Sequence, residues 1–386
     1  MELHKRIVCK IEIRFSSGLI FLVKLVIIDE NSYGGDEMRH FDYASLINKT
    51  WDNEIVNYLT LIHEYKGKQS IYIQQRPQEL ERLVEIAKVQ STEASNSIEG
   101  IRTTETRLRQ LMSERTTPRN RDEKEIAGYR DALNIVHENF DYIPLTPNYI
   151  LQLHKIMLSH TDSAFGGCFK NVQNYISATD EAGNRFTLFT PLASYETPDA
   201  MREICDEYNR AIGEGKVDPL LIIPVFIHDF LCIHPFLDGN GRMSRLLTTL
   251  LLYRAGYEVG KYISLEAKIA KNKDAYYASL EDSQVGWHEQ QDDPTAFVKY
   301  LLSTIIAAYR DFDDRIQIVS PTSLDTVKNA IDNKLGKFTK KDILELCPGL
   351  SASTVERHLK KLVADGTIEK LGGGRTTMYV KVFGGR

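Results

Sequence analysis

The sequence predicts a mainly α-helical fold, on three observations. Apolar residues recur at three-, four- and seven-residue spacing through most of the 386 residues, the pattern of helices that each bury one face. Extended character is confined to short stretches bounded by turn residues. Charge is unevenly distributed, which separates a C-terminal module from the rest.

Residues 1–37 contain two β-like runs, Ile7 to Phe15 and Leu19 to Ile28, followed by a polar stretch with Gly34-Gly35. Helical character begins at Met38, so residues 1–37 are an extension of uncertain status, and translation from Met38 is one hypothesis. Residues 38–125 form a helical N-terminal region. Here Pro77 suits a first helical turn, and Leu80, Leu83, Ala87, Ala94 and Ile98 line one face of a helix of about six turns that stops at Gly100. Residues 126–318 form the core, whose first helix, Glu123–Asn139, starts just ahead of that boundary. A second helix at Thr146–His160 is followed by a break at Gly166-Gly167, an extended stretch Cys168–Ile176 and a hairpin turn in Asp180–Asn184. Helices Pro198–Gly213, Pro219–Ile233 and Arg242–Ala255 come next, with further helix to about Ile318. Residues 320–386 read as three short helices, Thr322–Leu335, Thr339–Leu346 and Ala352–Ala364. Strands Thr367–Lys370 and Met378–Val382 then flank the turn Gly372-Gly373-Gly374-Arg375.

Hydrophobic residues at 42% and charged residues at 26% describe an ordinary soluble protein with an ample core. A net charge of −5 gives no case for wholesale nucleic-acid or membrane binding. From Pro321 onward, however, 12 Lys/Arg stand against 7 Asp/Glu. The five cysteines, Cys9, Cys168, Cys205, Cys232 and Cys347, form no CxxC pair and imply free thiols in a reducing cytoplasm. The apolar run Gly18–Ile28 contains Lys24 and is too short for a membrane span of about 20 residues. Lys10, Glu12 and Arg14 precede it and no small-residue cleavage site follows, which argues against a signal peptide. A cytoplasmic protein with no membrane partner is the expectation.

The chemistry concentrates in His234-Pro235-Phe236-Leu237-Asp238-Gly239-Asn240-Gly241-Arg242-Met243-Ser244-Arg245. Gly-Asn-Gly lets the backbone take positive φ and turn its N–H groups inward, as in anion-binding nests. A helix starting there adds its own N–H groups and dipole. Arg242 and Arg245, three apart, share a face of that helix, while Met243, Leu246, Leu247, Leu250 and Leu251 form an apolar stripe. The pattern points to a polyphosphate site. Asp238 is placed to hold Mg²⁺, and His234, ending an apolar helix, suits proton acceptance near neutral pH. His228, six residues earlier, reads as a packed or helix-orienting histidine.

This stretch resembles the Fic family signature His-x-Phe-x-(Asp/Glu)-Gly-Asn-Gly-Arg-x-x-Arg, and every defined position is filled. The resemblance implies a helical Fic core with a β-hairpin flap, and transfer of AMP from ATP to a Ser, Thr or Tyr hydroxyl of a target protein. In that reading His234 deprotonates the hydroxyl, Asp238 binds Mg²⁺, and Gly239, Asn240 and Gly241 hold the phosphates. Arg242 and Arg245 contact the outer phosphates, with Arg245 nearest the γ-phosphate. Ser95-Asn96-Ser97-Ile98-Glu99-Gly100 is similar to the family's inhibitory pattern (Ser/Thr)-x-x-x-Glu-(Gly/Asn). It implies that Glu99 forms a bidentate pair with Arg245 and blocks productive ATP binding. Gly167 to Ile176 resembles the target-clamping flap, with Lys170 where relatives usually carry Arg, so target preference is expected to differ. Asn272, Tyr276 and Tyr277 resemble the adenine wall, with Tyr276 taken as an ATP contact and core packing as the alternative.

The C-terminal pattern resembles a winged helix-turn-helix. Ser353, Thr354, Arg357, His358 and Lys361 would lie along its recognition helix and Arg375 in the wing. DNA binding stands beside a protein-interaction or homodimer role as the two readings of this module. Three functions remain open: an adenylyltransferase restrained by Glu99, a DNA-binding regulator with a nucleotide-sensing core, and another phosphoryl-group reaction such as AMP removal. The intact Gly-Asn-Gly-Arg argues against a kinase-like branch.

Overall fold

The computed structural model describes residues 10–14, 20–24, 39–75, 77–179, 184–318, 323–332, 334, 336–373 and 377–382. Strands β1 (Lys10–Arg14) and β2 (Ile20–Lys24) pair antiparallel, as the two N-terminal runs predicted. Met38, and with it the hypothesised translation start, lies outside the described residues.

Helices α1 (Asn53–Gln75) and α2 (Pro77–Ile98) come next, with α3 (Glu105–Met112), α4 (Arg121–Asn139) and α5 (Pro147–Met157) following. The five α2 positions assigned to one face are all buried, and the helix stops before Gly100, which takes φ +83°. Asn120 caps α4 by accepting the Glu123 N–H at 2.9 Å. Thr146 caps α5, with Pro147 in the first turn. The hairpin is β3 (Ile176–Thr179) against β4 (Arg185–Phe189), with a register irregularity at Ile176/Ser177. Only Ile176 of the predicted Cys168–Ile176 extension is strand; residues 168–175 form an irregular segment. Their backbone and polar side chains bond the loop after the next buried helix rather than a neighbouring strand.

Helices α6 (Thr197–Glu214), α7 (Pro219–Ile233) and α8 (Asn240–Arg254) form the centre. Helix α7 is buried on nearly every side, from Leu220 to Ile233, as a helix apolar all round must be. It packs against α6, α8 and the long α11 (Thr295–Ile318), while α9 (Leu265–Lys271) and α10 (Lys273–Gln284) complete the shell. Each large apolar side chain fully buried on α7 contributes about 1.5–3 kcal/mol relative to exposure, so the C-terminal end of this helix is a fixed point.

The C-terminal residues have a core of their own: Val327, Ile331, Ile343, Val355, Leu359, Leu362, Ile368 and others. It is built from α12 (Ser323–Asp332), α13 (Lys340–Leu346), α14 (Ala352–Ala364) and the antiparallel pair β5 (Ile368–Leu371) and β6 (Met378–Lys381). His358, expected along the recognition helix with Arg357 and Lys361, lies in α14 but is buried, with Nε2 2.8 Å from Ser323 Oγ. Val355, His358, Leu359 and Leu362 fall at i, i+3, i+4 and i+7, so His358 belongs to the apolar stripe. Arg375 lies outside the described residues.

Candidate active site

A cavity of about 530 Å³ opens between the end of α2, the start of α8, the hairpin and α10. It is lined by Glu99, His234, Asp238, Gly239, Asn240, Gly241, Arg242, Arg245, Tyr276 and Tyr277, together with Ile176, Ser177 and Leu188 of the hairpin. The His234–Arg245 motif and Glu99 of the Ser95–Gly100 segment, far apart in the chain, therefore share one hollow of ligand size.

His234 ends α7 in the left-handed conformation, φ 50° and ψ 60°, where non-glycine residues are uncommon and strained. Its backbone N–H donates to Phe230 O at 2.9 Å. Nδ1 lies 3.2 Å from Leu231 O, which assigns the proton to Nδ1 and leaves Nε2 as the basic nitrogen. Burial pushes the imidazole down to about 4, with the Leu231 carbonyl opposing and Lys170 adding to the fall. The ring is neutral at pH 7.

Gly239 begins α8 with φ 86°, and a Cβ there would lie 2.6 Å from Met157 Cε, so only glycine serves. The first N–H groups of α8 have no intrahelical partner and edge the cavity, an arrangement suited to phosphate oxygens. The Asn240 side chain turns away: Oδ1 accepts the Phe236 N–H at 2.9 Å and Nδ2 donates to Phe236 O at 2.7 Å. Asn240 thus staples the loop and offers the ligand only its backbone. His154, which the sequence reading passed over, supports the loop from α5. Its ring stacks on Phe236 at 3.7 Å, Nε2 bonds Asp238 O at 3.0 Å and Nδ1 accepts the Gly167 N–H at 3.1 Å. Ile150, Leu153, His154 and Met157 are all buried at helical spacing, the one sequence signal that could have flagged it.

The two arginines are buried, which costs free energy unless they are paired. Arg242 meets Glu125 at 2.8 Å and Asp238 at 3.5 Å. Arg121 in turn meets Glu125 at 2.7 Å and Asp238 at 3.5 Å. Neither Glu125 nor Arg121 was singled out in the sequence. The Asp238 carboxylate is half exposed at the mouth of the cavity, and both its cation contacts are long. One such carboxylate beside an anion-binding helix start fits Mg²⁺, which takes one or two carboxylates plus phosphate oxygens.

Arg245 donates from Nε to Ser95 Oγ and from Nη2 to Ser95 O, both at 2.9 Å, and from Nη2 to Glu99 Oε1 at 2.8 Å. The expected bidentate Glu99 pair is therefore a single-oxygen contact, with Ser95 taking Nε and sharing Nη2. Gly100 releases the chain after α2 with its positive φ, and Lys273 Nζ donates to Ile98 O at the helix end at 2.6 Å. At Gly241 a Cβ would collide with Glu99 Oε1; the Glu99 carboxylate rests directly against the start of α8.

Tyr276 lines the cavity while packing against Phe297 and Tyr300, so its position is compatible with both readings, and Tyr277 is the more exposed ring on the cavity wall. Lys170 is buried and bonds the loop around His234. His228 is packed as predicted, 3.6 Å from Cys232 Sγ, and burial lowers it to about 4.

Residues 144–252 match the family model described as Fic/DOC family. The chain carries a Fic family domain. Among curated proteins, the chain is 25% identical over 218 residues to protein adenylyltransferase fic-1 of Caenorhabditis elegans, covering 56% of this chain and 38% of that protein. It is 29% identical over 140 residues to protein adenylyltransferase Fic of Drosophila melanogaster, covering 35% and 26%. The chain thus spans well under half the length of these relatives. A Fic family protein from Desulfovibrio desulfuricans superimposes with a TM-score of 0.58 at 22% identity, covering 88% of this chain and 98% of that one. Fic-1 of C. elegans gives 0.56 at 19% identity, covering 69% and 74%. These two establish the Fic fold. Among the described residues no helix is long and apolar enough to cross a membrane.

Proposed function

We propose that this Fic protein transfers AMP from ATP to a side-chain hydroxyl of a target protein, and that Glu99 holds the activity down. The observation that carries the reading is the convergence of a neutral imidazole, a helix start and a buried arginine on one cavity. The relatives named protein adenylyltransferase support the same reaction.

The target segment lies along the hairpin wall as an added strand, bringing its hydroxyl to His234 Nε2. The hydroxyl proton passes to Nε2 as oxygen bonds the α-phosphorus, and the α-phosphorus–oxygen bond to pyrophosphate breaks. The N–H groups at the start of α8 and the guanidinium of Arg245 hold the β- and γ-phosphates where charge gathers. Asp238 would hold Mg²⁺, which neutralises phosphate charge when bound. Tyr277 is the ring available to stack on adenine. With Glu99 on Arg245, the γ-phosphate loses its cation and meets a carboxylate instead.

Intact and peptide mass spectrometry of the Glu99→Gly protein with ATP and Mg²⁺ tests this. An AMP adduct on the protein or a lysate partner, several-fold above the parent, is expected; Glu99→Gly removes a competing anion and leaves the arginine held by Ser95. A phosphate adduct would assign another phosphoryl transfer. ATP binding with no adduct would assign nucleotide sensing. A rate equal to the parent's removes the inhibitory role of Glu99.

A further inference from the structure

Helix α7 ends with four carbonyls, Phe230 to Ile233, that no helical N–H reaches. Two are met by His234 itself, through its backbone N–H and Nδ1. Cys232 O accepts from Leu192 N–H at 3.3 Å, and Ile233 O accepts from Lys170 Nζ at 2.9 Å. The next three carbonyls run to the same short segment. Asn174 Nδ2 donates to His234 O at 3.1 Å and to Phe236 O at 3.0 Å. The Lys170 backbone N–H donates to Pro235 O at 2.8 Å. Lys170 and Asn174 are joined to each other, Nζ to Oδ1, at 2.9 Å. Two residues therefore take four consecutive carbonyls, 233 to 236, around a base held at positive φ.

We propose that Lys170 and Asn174 form a clasp that positions His234 and ties it to the hairpin that receives the target. Such a strained backbone persists only where its surroundings over-determine it, and the clasp supplies that constraint. Lys170 is buried, its ammonium donates to a carbonyl and an amide oxygen, and among the described residues no carboxylate forms an ion pair with it. A cation at the C-terminal end of α7 is favoured by the helix dipole. The same segment continues directly into β3, and Gln173 Nε2 fastens it to Pro191 O beyond β4 at 2.9 Å. A target strand laid on the hairpin is thereby held in register with the imidazole.

The clasp has an electrostatic consequence. Burial lowers the Lys170 ammonium to about 8, so it is mostly charged at neutral pH and disfavours imidazolium at His234. The other charged groups facing the cavity are Glu99 from α2, Asp238 from the loop, Arg242 and Arg245 from α8, and Glu281 from α10. Of these, Glu99 opposes Lys170 at the imidazole.

The inference rests on His234 being the base, so the test is run in the Glu99→Gly protein with a readout that needs no turnover. Lys170→Met is expected to lower kcat for AMP transfer about a hundredfold, the scale of a misplaced catalytic group, with ATP affinity within about twofold of the parent. Its acid limb and the His234 side-chain NMR titration both move to higher pH. Lys170→Arg, which keeps a cationic donor, recovers most of the rate. An unmoved titration with unchanged kcat overturns the clasp, as does a loss confined to ATP affinity. If Lys170→Met does not fold, Asn174→Ala decides: lower kcat at unchanged ATP affinity supports the clasp, and an unchanged kcat overturns it. If the Glu99→Gly parent itself transfers no AMP, the adenylyltransferase reading has failed. The clasp is then judged by the His234 titration alone.

Discussion

The cations of α8 and those of α14 meet opposite fates. Arg242 and Arg245 are 1% and 3% exposed and each is held by a carboxylate. Arg357 and Lys361 of α14 stand in water, while Lys360 and Lys340 are spent on Glu356. Burying a guanidinium without a partner costs several kcal/mol, so two buried arginines three residues apart declare a place where negative charge is received. Exposed cations one helical turn apart declare only a solvated face, because a surface ion pair is worth about 0–1 kcal/mol. The core therefore carries its function in its burial pattern, and the C-terminal module does not.

The sharpest way to break that contrast is to remove the base. His234→Ala in the Glu99→Gly protein is expected to cut AMP transfer by about 10²–10⁴-fold, the usual contribution of a positioned general base. ATP affinity should hold, since the phosphate loop and Arg245 are untouched; radiolabel transfer and equilibrium ATP titration measure the two separately. A variant retaining its rate would move the chemistry away from this cavity.

A smaller effect concerns acid stability. Burial lowers His137 to about 3 and His154, His228 and His234 to about 4. In the unfolded chain each binds a proton near 6.5, so below that pH the unfolded state holds more protons. The stability these neutral rings contribute is present above about 6.5 and is lost as pH falls toward 4. Each lowered unit is worth about 1.4 kcal/mol. All four sit in the Fic core, whereas His358 is the one such residue described in the C-terminal module. Thermal melts between pH 7 and 4 should show the core losing stability more steeply than residues 323–382. Parallel slopes would show that the two parts do not unfold independently or that the rings are not neutral.

What could be read in advance follows the same division. Helix limits and the buried face of α2 came from periodicity, and the phosphate loop from glycines and arginines in a fixed local spacing. Asn174, Glu125 and Arg121 were silent because their partners in the site lie far along the chain and a lone polar residue carries no period; Lys170 was noted only through the flap resemblance, and the buried stripe that holds His154 gave its position without its role. Tyr276 and Tyr277 could not be told apart, since neighbours on a helix point about 100° apart and the phase relative to the cavity is set by packing. The burial of His358 was missed for a different reason: its place in the i, i+3, i+4, i+7 stripe was legible, and its polarity was given more weight than its position.

The smallest expected effect belongs to α14, and it decides whether the C-terminal module has a ligand at all. Three helices followed by a two-stranded sheet, with Ser353, Arg357 and Lys361 on the exposed face of the last helix, is an arrangement that can present a helix to the major groove. Thr354 is partly buried, its backbone N–H donates to Oγ of the N-cap Ser351 at 3.2 Å and its hydroxyl lies 2.9 Å from the same oxygen, so its side chain is engaged at the helix start. With two unspent cations on the face, duplex binding would rest on few phosphate contacts. Its logarithmic salt slope should be shallow, falling by about one unit for each cation removed. Fluorescence anisotropy of duplex DNA against the full chain, with Arg357→Ala and Lys361→Ala alongside, makes the measurement. A shallow slope that both substitutions flatten makes α14 a nucleic-acid face. No anisotropy change at low salt leaves an exposed helix whose cations serve solvation, and assigns the module to protein contact.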